Sequence, residues 1–396
     1  MIQIKKKNFI ILIIITALIG TSLGAGCTFA INHFVFGENV KISAKDYQHY
    51  QILSERYGKL DSLYTTLKEY YYKDLDESKL QQGIYKGLFW GTGDPYTNYM
   101  TKEEYDNLII KTTGKLEGIG VTMGIDQNGY IVVVSVIKDS PAEHAGIKAD
   151  DLIVAVDGKE YIGTDLDTAV ANMRGDAGTS VKVTYARKGE KKEVTITRAQ
   201  INLDSVYAKM LDHNIGYIYI SSFETQTAED FEKELRNFET KGVDGLIIDL
   251  RNNGGGVVDS GVKIADMLLD QGTVAYTEGK TKERSYMKST TGKTNLPYVL
   301  LINGGTASTS EILASGIKDN KGGAIVGTTS FGKGVIQSMA PLKEGDAVKI
   351  TIAQYFSPNG NVIQGVGVKP DYVVELTDKD KTDTQLQKAM ELLQKK

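Results

Sequence analysis

The chain has 396 residues, 41% hydrophobic and 24% charged, with a formal net charge of −4 at neutral pH. That length exceeds one small core, the composition gives no basis for disorder, and no basic field exists to hold nucleic acid. A single cysteine, Cys27, excludes an internal disulfide framework, and the four histidines (His33, His49, His144 and His213) are scattered without ligand spacing, so no metal or cofactor is expected.

Three lysines, Lys5 to Lys7, precede an uncharged apolar stretch from Phe9 to Ile31. As a helix it would rise roughly 35 Å, enough for a hydrocarbon core of ~30 Å. The basic flank predicts a cytoplasmic N-terminus and an extracytoplasmic remainder. An uncleaved single-pass anchor over residues 1–36 is the preferred expectation. A cleaved signal peptide ending at Gly24-Ala25-Gly26, or a lipoprotein at Cys27, are the alternatives, and both also export the chain.

Residues 37–103 are expected to be a helical region. Tyr50, Leu53, Tyr57, Leu60, Tyr64 and Leu67 recur at spacings of three and four, a face read first as core and otherwise as a subunit contact. A second helix is expected over 78–89, ending at the breakers Gly91 to Pro95. Residues 104–198 change to short strands with glycine turns: strands at 131–136, 152–156, 181–186 and 193–197, and a helix at 166–173. From 199 to 376 strands at 216–220, 245–249, 298–302 and 323–326 alternate with helices at 228–240, 261–269 and 310–318, which predicts an α/β unit with a largely parallel sheet. A polar amphipathic helix closes the chain over 377–396, and it or the aromatic face could serve a homodimer.

Gly118-Ile119-Gly120-Val121 opens the middle unit, where small residues let successive N–H groups converge on an anion such as a peptide carboxylate. Together with Ser140 to Ile147, Asp150 to Ile153 and Val156-Asp157-Gly158, this pattern resembles a bacterial PDZ domain. The resemblance implies addition of an extended peptide beside the strand after Gly120.

Ser308 lies between an apolar strand and a helix, in Gly304-Gly305-Thr306-Ala307-Ser308-Thr309-Ser310-Glu311. Ser-x-x-Glu is a capping box, so Ser308 could be merely an N-cap. The same position suits a nucleophile, because a helix start offers N–H groups where an oxyanion would form. A serine nucleophile needs a base, and none of the four histidines is convincingly placed. Lysine can act if its pKa falls towards 7 or 8. Lys333, in Ser330-Phe331-Gly332-Lys333-Gly334-Val335-Ile336-Gln337, is the best candidate. If 334–337 is a strand, Lys333 and Gln337 share a face and Gln337 can orient the amine. Gly327 to Lys333 mimics a P-loop, but Gly334 stands where the magnesium-binding hydroxyl would be, so nucleotide binding is not expected. The strand Gly245 to Asp249 leads into Asn253-Gly254-Gly255-Gly256, where an N–H of Gly254 or Gly255 could pair with that of Thr309 as an oxyanion hole.

These segments, with Asp94-Pro95-Tyr96-Thr97, Pro358-Asn359-Gly360 and Gly367 to Asp371, resemble the carboxy-terminal processing (tail-specific) proteases over nearly the whole chain after the leader. The likeness implies a crotonase-like α/β protease core with a strand cap, interrupted or preceded by the PDZ module. It implies Ser308 as nucleophile, Lys333 as general base 25 residues later, and Gln337 as its partner. It further implies cleavage of exported proteins near free C-termini, with the PDZ module gating access. Arg174, after the module's helix, is a candidate for coupling peptide occupancy to the site. Thr306, Thr309 and the GIGV loop depart mildly from the family pattern. Two other readings are a PDZ scaffold with an inert core and a trypsin-like PDZ protease. The latter lacks both its domain order and its serine motif here.

Overall fold

The computed structural model describes residues 14–16, 42–377 and 382–394. Apart from 14–16, which are helical, the expected anchor segment lies outside the described residues. Among the described residues no helix is long and apolar enough to cross a membrane. The chain divides into a unit ending at Leu80 and one beginning at Gln81.

In the first unit, α1 (Ala44–Tyr70) starts at Ser43, whose hydroxyl accepts the Asp46 N–H at 3.1 Å, a side-chain cap. None of its residues is buried. The stripe expected to be core is therefore corrected: Tyr50 is 65% exposed, and Leu53, Tyr57, Leu60 and Leu67 are exposed with it. The three-and-four spacing does make a helix face, but no element among the described residues of the unit covers it. Helix α2 (Glu77–Trp90) crosses the boundary between the units and stops at the glycine cluster, where the Thr92 hydroxyl donates to Phe89 O at 2.8 Å.

The second unit opens with β1 (Asn98–Met100) and α3 (Lys102–Thr113), so the boundary expected at 103/104 falls inside a helix. The PDZ-type module follows: β2 (Lys115–Gly118), β3 (Val121–Ile125), β4 (Ile131–Val136), α4 (Pro141–His144), β5 (Leu152–Val156), β6 (Lys159–Glu160), α5 (Leu166–Met173), β7 (Ser180–Arg187), β8 (Glu190–Thr197) and β9 (Ala199–Asn202). Its sheet runs β3-β4-β5-β7-β8, which leaves β3 at an edge. Val181, Val183 and Tyr185 are buried on alternate positions of β7, the period-2 signature of a strand with one face on a core. Strands β2 and β9 pair with each other, Lys115 opposite Asn202, so the module's two ends run side by side.

The core is α/β. Its elements are β10 (Val206–Leu211), β11 (Ile215–Ile220), α6 (Thr227–Lys241), β12 (Gly245–Asp249), α7 (Val258–Leu268), β13 (Gly272–Gly279), β14 (Arg284–Ser289), β15 (Tyr298–Ile302), α8 (Thr309–Asp319), β16 (Ala324–Gly327), β17 (Val335–Pro341), β18 (Ala347–Phe356), β19 (Tyr372–Val373) and α9 (Thr384–Gln394). The main sheet runs β10-β11-β12-β15-β16-β19 and is parallel from β11 onward. Every residue of β12 and β15 is buried, as expected for parallel strands covered on both faces. One face packs on α6, α7 and α8; Phe231, Leu235 and Phe238 of α6 meet it at helical spacing. The other face is covered by Ala389 and Leu393 of α9. The apolar side of α9 is thus used within the chain.

A second sheet runs β1-β18-β13-β14, with β17 also on β18. Here Asn98 pairs with Lys349 and Met100 with Ala347. Residues 98–100 are thus a strand of the core rather than part of a helical region, and the PDZ-type module is inserted between β1 and the rest of the core. Arg251, at the end of β12, donates to Asp249, Asp383 and Gln385 and so clamps the start of α9 to the main sheet. Truncating the buried Leu393 in Leu393→Ala is expected to lower stability by about 2–3 kcal/mol, read from the midpoint of urea unfolding.

Candidate active site

Strand β15 delivers the chain into the loop Asn303–Ala307, and its hydrogen bonds fix the position of Ser308. Thr306 Oγ1 donates to Leu250 O at 2.8 Å, Ala307 N–H to Asn253 O at 2.9 Å, and Ser310 Oγ to Asn253 O at 3.0 Å. The side chains of Asn252 and Asn303 join the same two loops through Asn252 N–H and the two amide groups. Ser308 begins α8 with φ 58° and ψ −117°, a left-handed backbone that non-glycine residues rarely adopt and that costs of order 1–3 kcal/mol. Its hydroxyl makes no capping hydrogen bond, and of the capping box only the half from Glu311 is formed, in which Glu311 Oε2 accepts Ser308 N–H at 2.8 Å. Ser308 is thus the N-cap by position, yet Ser308 Oγ has no hydrogen-bond partner among the described residues and is left unused by the cap.

The residue that organises the site is Glu311, fully buried on α8. Its Oε2 accepts Ser308 N–H and Lys333 N–H, each at 2.8 Å; its Oε1 accepts Gly332 N–H at 2.7 Å and Ser330 Oγ–H at 2.6 Å. One carboxylate thus joins the loop of Ser308 to the loop of Lys333. Tyr355 adds a second tie: its hydroxyl lies 3.0 Å from Ser308 O and also bonds Lys333 O. Burial pushes the Tyr355 phenol well above its ordinary range.

Lys333 is half-buried just before β17, with its Nζ over the ring of Tyr96, 4.9 Å from the centroid. Burial, and the charge of Lys349, hold its amine below the ordinary lysine value; Asp94 and Glu311 oppose them. Among the described residues no hydrogen bond joins Lys333 Nζ to Ser308 Oγ. The shared strand face expected for Lys333 and Gln337 is not formed. Lys333 precedes the strand, and a bulge between Ile336 and Gln337 breaks the alternation. Gln337 Nε2 instead donates to Thr351 Oγ1 at 3.4 Å.

Gly255 packs against the start of α8. A Cβ built on it would lie 2.8 Å from Ser308 Cβ and 2.9 Å from Thr309 N, so only glycine leaves that space open. The N–H of Gly255 donates to Asn253 Oδ1 at 2.8 Å, which removes it as an oxyanion donor and leaves that of Gly254 as the glycine candidate. Thr309 N–H has no partner among the described residues, while its hydroxyl donates to Gly256 O at 2.9 Å.

In the PDZ-type module, Ile119 O accepts Ala142 N–H at 2.8 Å and Gly120 O accepts Ile137 N–H at 2.9 Å. Across a trans peptide C=O and N–H point oppositely, so the N–H groups of Gly120 and Val121 point away from those donors. A narrow groove of about 60 Å³ lies between the edge strand β3 and α5, lined by Gly118, Ile119, Gly120, Val121, Met173 and Arg174 among others. Arg174 also reaches α3, where its Nη1 donates to Asn107 Oδ1 at 2.8 Å. The end of α3 is joined in turn to the core: Thr225 N–H donates to Thr112 O, and Phe223 N–H donates to Gly255 O at 3.0 Å.

Sequence reasoning missed Glu311, Tyr355 and the turn Asp94–Thr97 as parts of one site. A glutamate immediately before the apolar run Ile312-Leu313-Ala314 was a readable signal, because a buried carboxylate needs donors.

The fold and its sites define a serine-type peptidase that carries a PDZ domain. The family model described as Peptidase family S41 matches residues 214–374, PDZ domain matches 118–197, and Activating protease CtpB N-terminal domain matches 21–104. The carboxy-terminal processing protease CtpB of Bacillus subtilis is 37% identical over 327 residues, which cover 81% of this chain and 68% of the relative. CtpA of the same organism is 36% identical over 326 residues, 82% of this chain and 70% of the relative. A solved photosystem II D1 C-terminal processing protease is similar with a TM-score of 0.47 and 27% identity, covering 84% of this chain and 94% of that one. The chain belongs to the carboxy-terminal processing proteases of peptidase family S41.

Replacing Glu311 leaves several buried donors unpaired at once. Glu311→Ala is expected to cost at least about 3 kcal/mol in urea unfolding and to abolish peptidase activity, with Glu311→Gln intermediate in both measurements.

Proposed function

We propose that this chain cleaves exported proteins at or near their C-termini, with Ser308 as nucleophile and Lys333 as general base. The observation that carries the proposal is the Glu311 carboxylate, which takes the backbone N–H of both residues and so builds their loops around one point. A neutral Lys333 amine takes the hydroxyl proton as Ser308 Oγ attacks the scissile carbonyl. The same proton then goes to the leaving amine, and water resolves the acyl-enzyme. Burial and Lys349 favour the neutral amine, which is the form a base requires. The N–H groups of Thr309 and Gly254 receive the developing oxyanion. Gln337 orients the amine once Lys333 turns towards Ser308.

The PDZ domain receives a free C-terminus by strand addition at β3, with the loop Gly118–Val121 facing the terminal carboxylate. Arg174 couples that occupancy to the site, because its bond to Asn107 leads through α3 and residues 223–225 to the glycine loop. The apolar segment after Lys5–Lys7 anchors the chain in the cell membrane with its catalytic part outside. The exposed tyrosine and leucine face of α1 is the surface on which a homodimer would form.

Cleavage of casein or a tailed peptide is expected to fall by about three orders of magnitude or more in Ser308→Ala and in Lys333→Ala. Activity surviving both would refute the pair, and equal, negligible cleavage by wild type and Ser308→Ala would favour a PDZ scaffold with an inert core. In Arg174→Ala, a peptide that stimulates the wild-type enzyme is expected to leave turnover where it stands without peptide; undiminished stimulation sinks the coupling role.

A further inference from the structure

We infer that Tyr96 is a positioning residue of the proteolytic site, whose ring face holds the Lys333 amine away from Ser308 until the amine loses its proton. This deepens the reading of Lys333 as general base and rests on it.

The amine lies 4.9 Å from the ring centroid, inside the range of ~6 Å over which a cation is attracted to an aromatic face. Among the described residues it has no hydrogen-bond partner, so the ring is its principal contact. The turn that carries the ring is firmly set. Asp94 Oδ1 accepts Tyr96 N–H at 2.9 Å, and Asp94 Oδ2 accepts the Thr97 hydroxyl at 2.7 Å. Thr351 N–H on β18 donates to Thr97 Oγ1 at 2.9 Å, and β1, which begins at the next residue, pairs with β18.

The charged and titratable groups around the amine are Asp94 and Tyr96 on this turn, Lys349 and Tyr355 on β18, and Glu311 on α8. Asp94 and Glu311 favour the ammonium, whereas burial and Lys349 favour the amine. The ring adds a selective contribution, because its quadrupole attracts the ammonium and not the neutral amine. It therefore holds the form that cannot accept a proton from Ser308. When the ammonium gives its proton to water, that attraction ends and the side chain is released to turn towards the hydroxyl. Since the ring stabilises the charged form, removing it lowers the pKa of Lys333. The acid limb of kcat/KM, which reports the free enzyme, then moves to lower pH.

The test is the pH profile of kcat/KM on fluorescent casein for the full chain, in wild type, Tyr96→Phe, Tyr96→Leu and Tyr96→Trp. Phenylalanine keeps the ring and is expected to leave the acid limb in place. Leucine is expected to move it down by about one pH unit, and tryptophan, the stronger cation acceptor, to move it up. A leucine variant with the wild-type limb overturns the inference, as does a phenylalanine variant that shifts as far as leucine. If Tyr96→Leu does not fold, Tyr96→Trp carries the test and an unmoved limb overturns it. Lys333→Ala is measured alongside. Its activity would refute the general-base reading itself, whereas an inactive Lys333→Ala with unmoved limbs in the tyrosine series overturns only the role of Tyr96.

Discussion

The active region of this peptidase depends on one buried carboxylate. Glu311 sits on a helix whose flanking residues are all withdrawn from water, where an acid without donors would be strongly disfavoured. Donors from Ser308, Ser330, Gly332 and Lys333 answer it, with the Tyr355 hydroxyl at a longer 3.4 Å. The arrangement does two things at once. It holds Ser308 in a backbone conformation that the residue would not choose alone, and it fixes the loop that presents Lys333. Because Glu311 takes the N–H of Ser308 while the serine hydroxyl makes no capping bond, that side chain is left for chemistry.

Around that point the site gathers segments that are far apart in the chain. The glycine loop supplies an opening beside Thr309, kept clear by the missing side chain of Gly255. The turn Asp94–Thr97 arrives from before the PDZ domain, seated by β1 on β18. Residues 223–225 touch both the glycine loop and the end of α3. The base of the PDZ domain and the proposed oxyanion site therefore share a neighbour.

Much of this was legible in the sequence. Strands β12 and β15 were readable to the residue because buried parallel strands are unbroken apolar runs with polar or glycine ends. The loops of Ser308 and Lys333 stood out through their glycines and the shortage of usable histidines. The partners of Glu311 were not legible, since Ser-x-x-Glu at a helix start has the same spacing whether it caps or bridges loops. Strand β1 is three residues long, and its neighbour Thr97 meets Thr351 across 254 positions, far beyond any local pattern. The bulge beside Gln337 defeated a period-2 argument that assumed a regular strand. For α1 and α9, periodicity identified a face on each helix but could not say whether anything lay against it.

The insertion of the PDZ domain between β1 and the rest of the core has a mechanical consequence. A domain appended by one linker samples a sphere of orientations, and only linker length sets how often it meets its target. Here both leashes are paired as the β2–β9 ribbon, so the entry and exit of the domain are held side by side and its orientations are restricted. The ribbon's root lies beside α3, so whatever displaces the domain acts on the core at two adjacent strands rather than through a single tether.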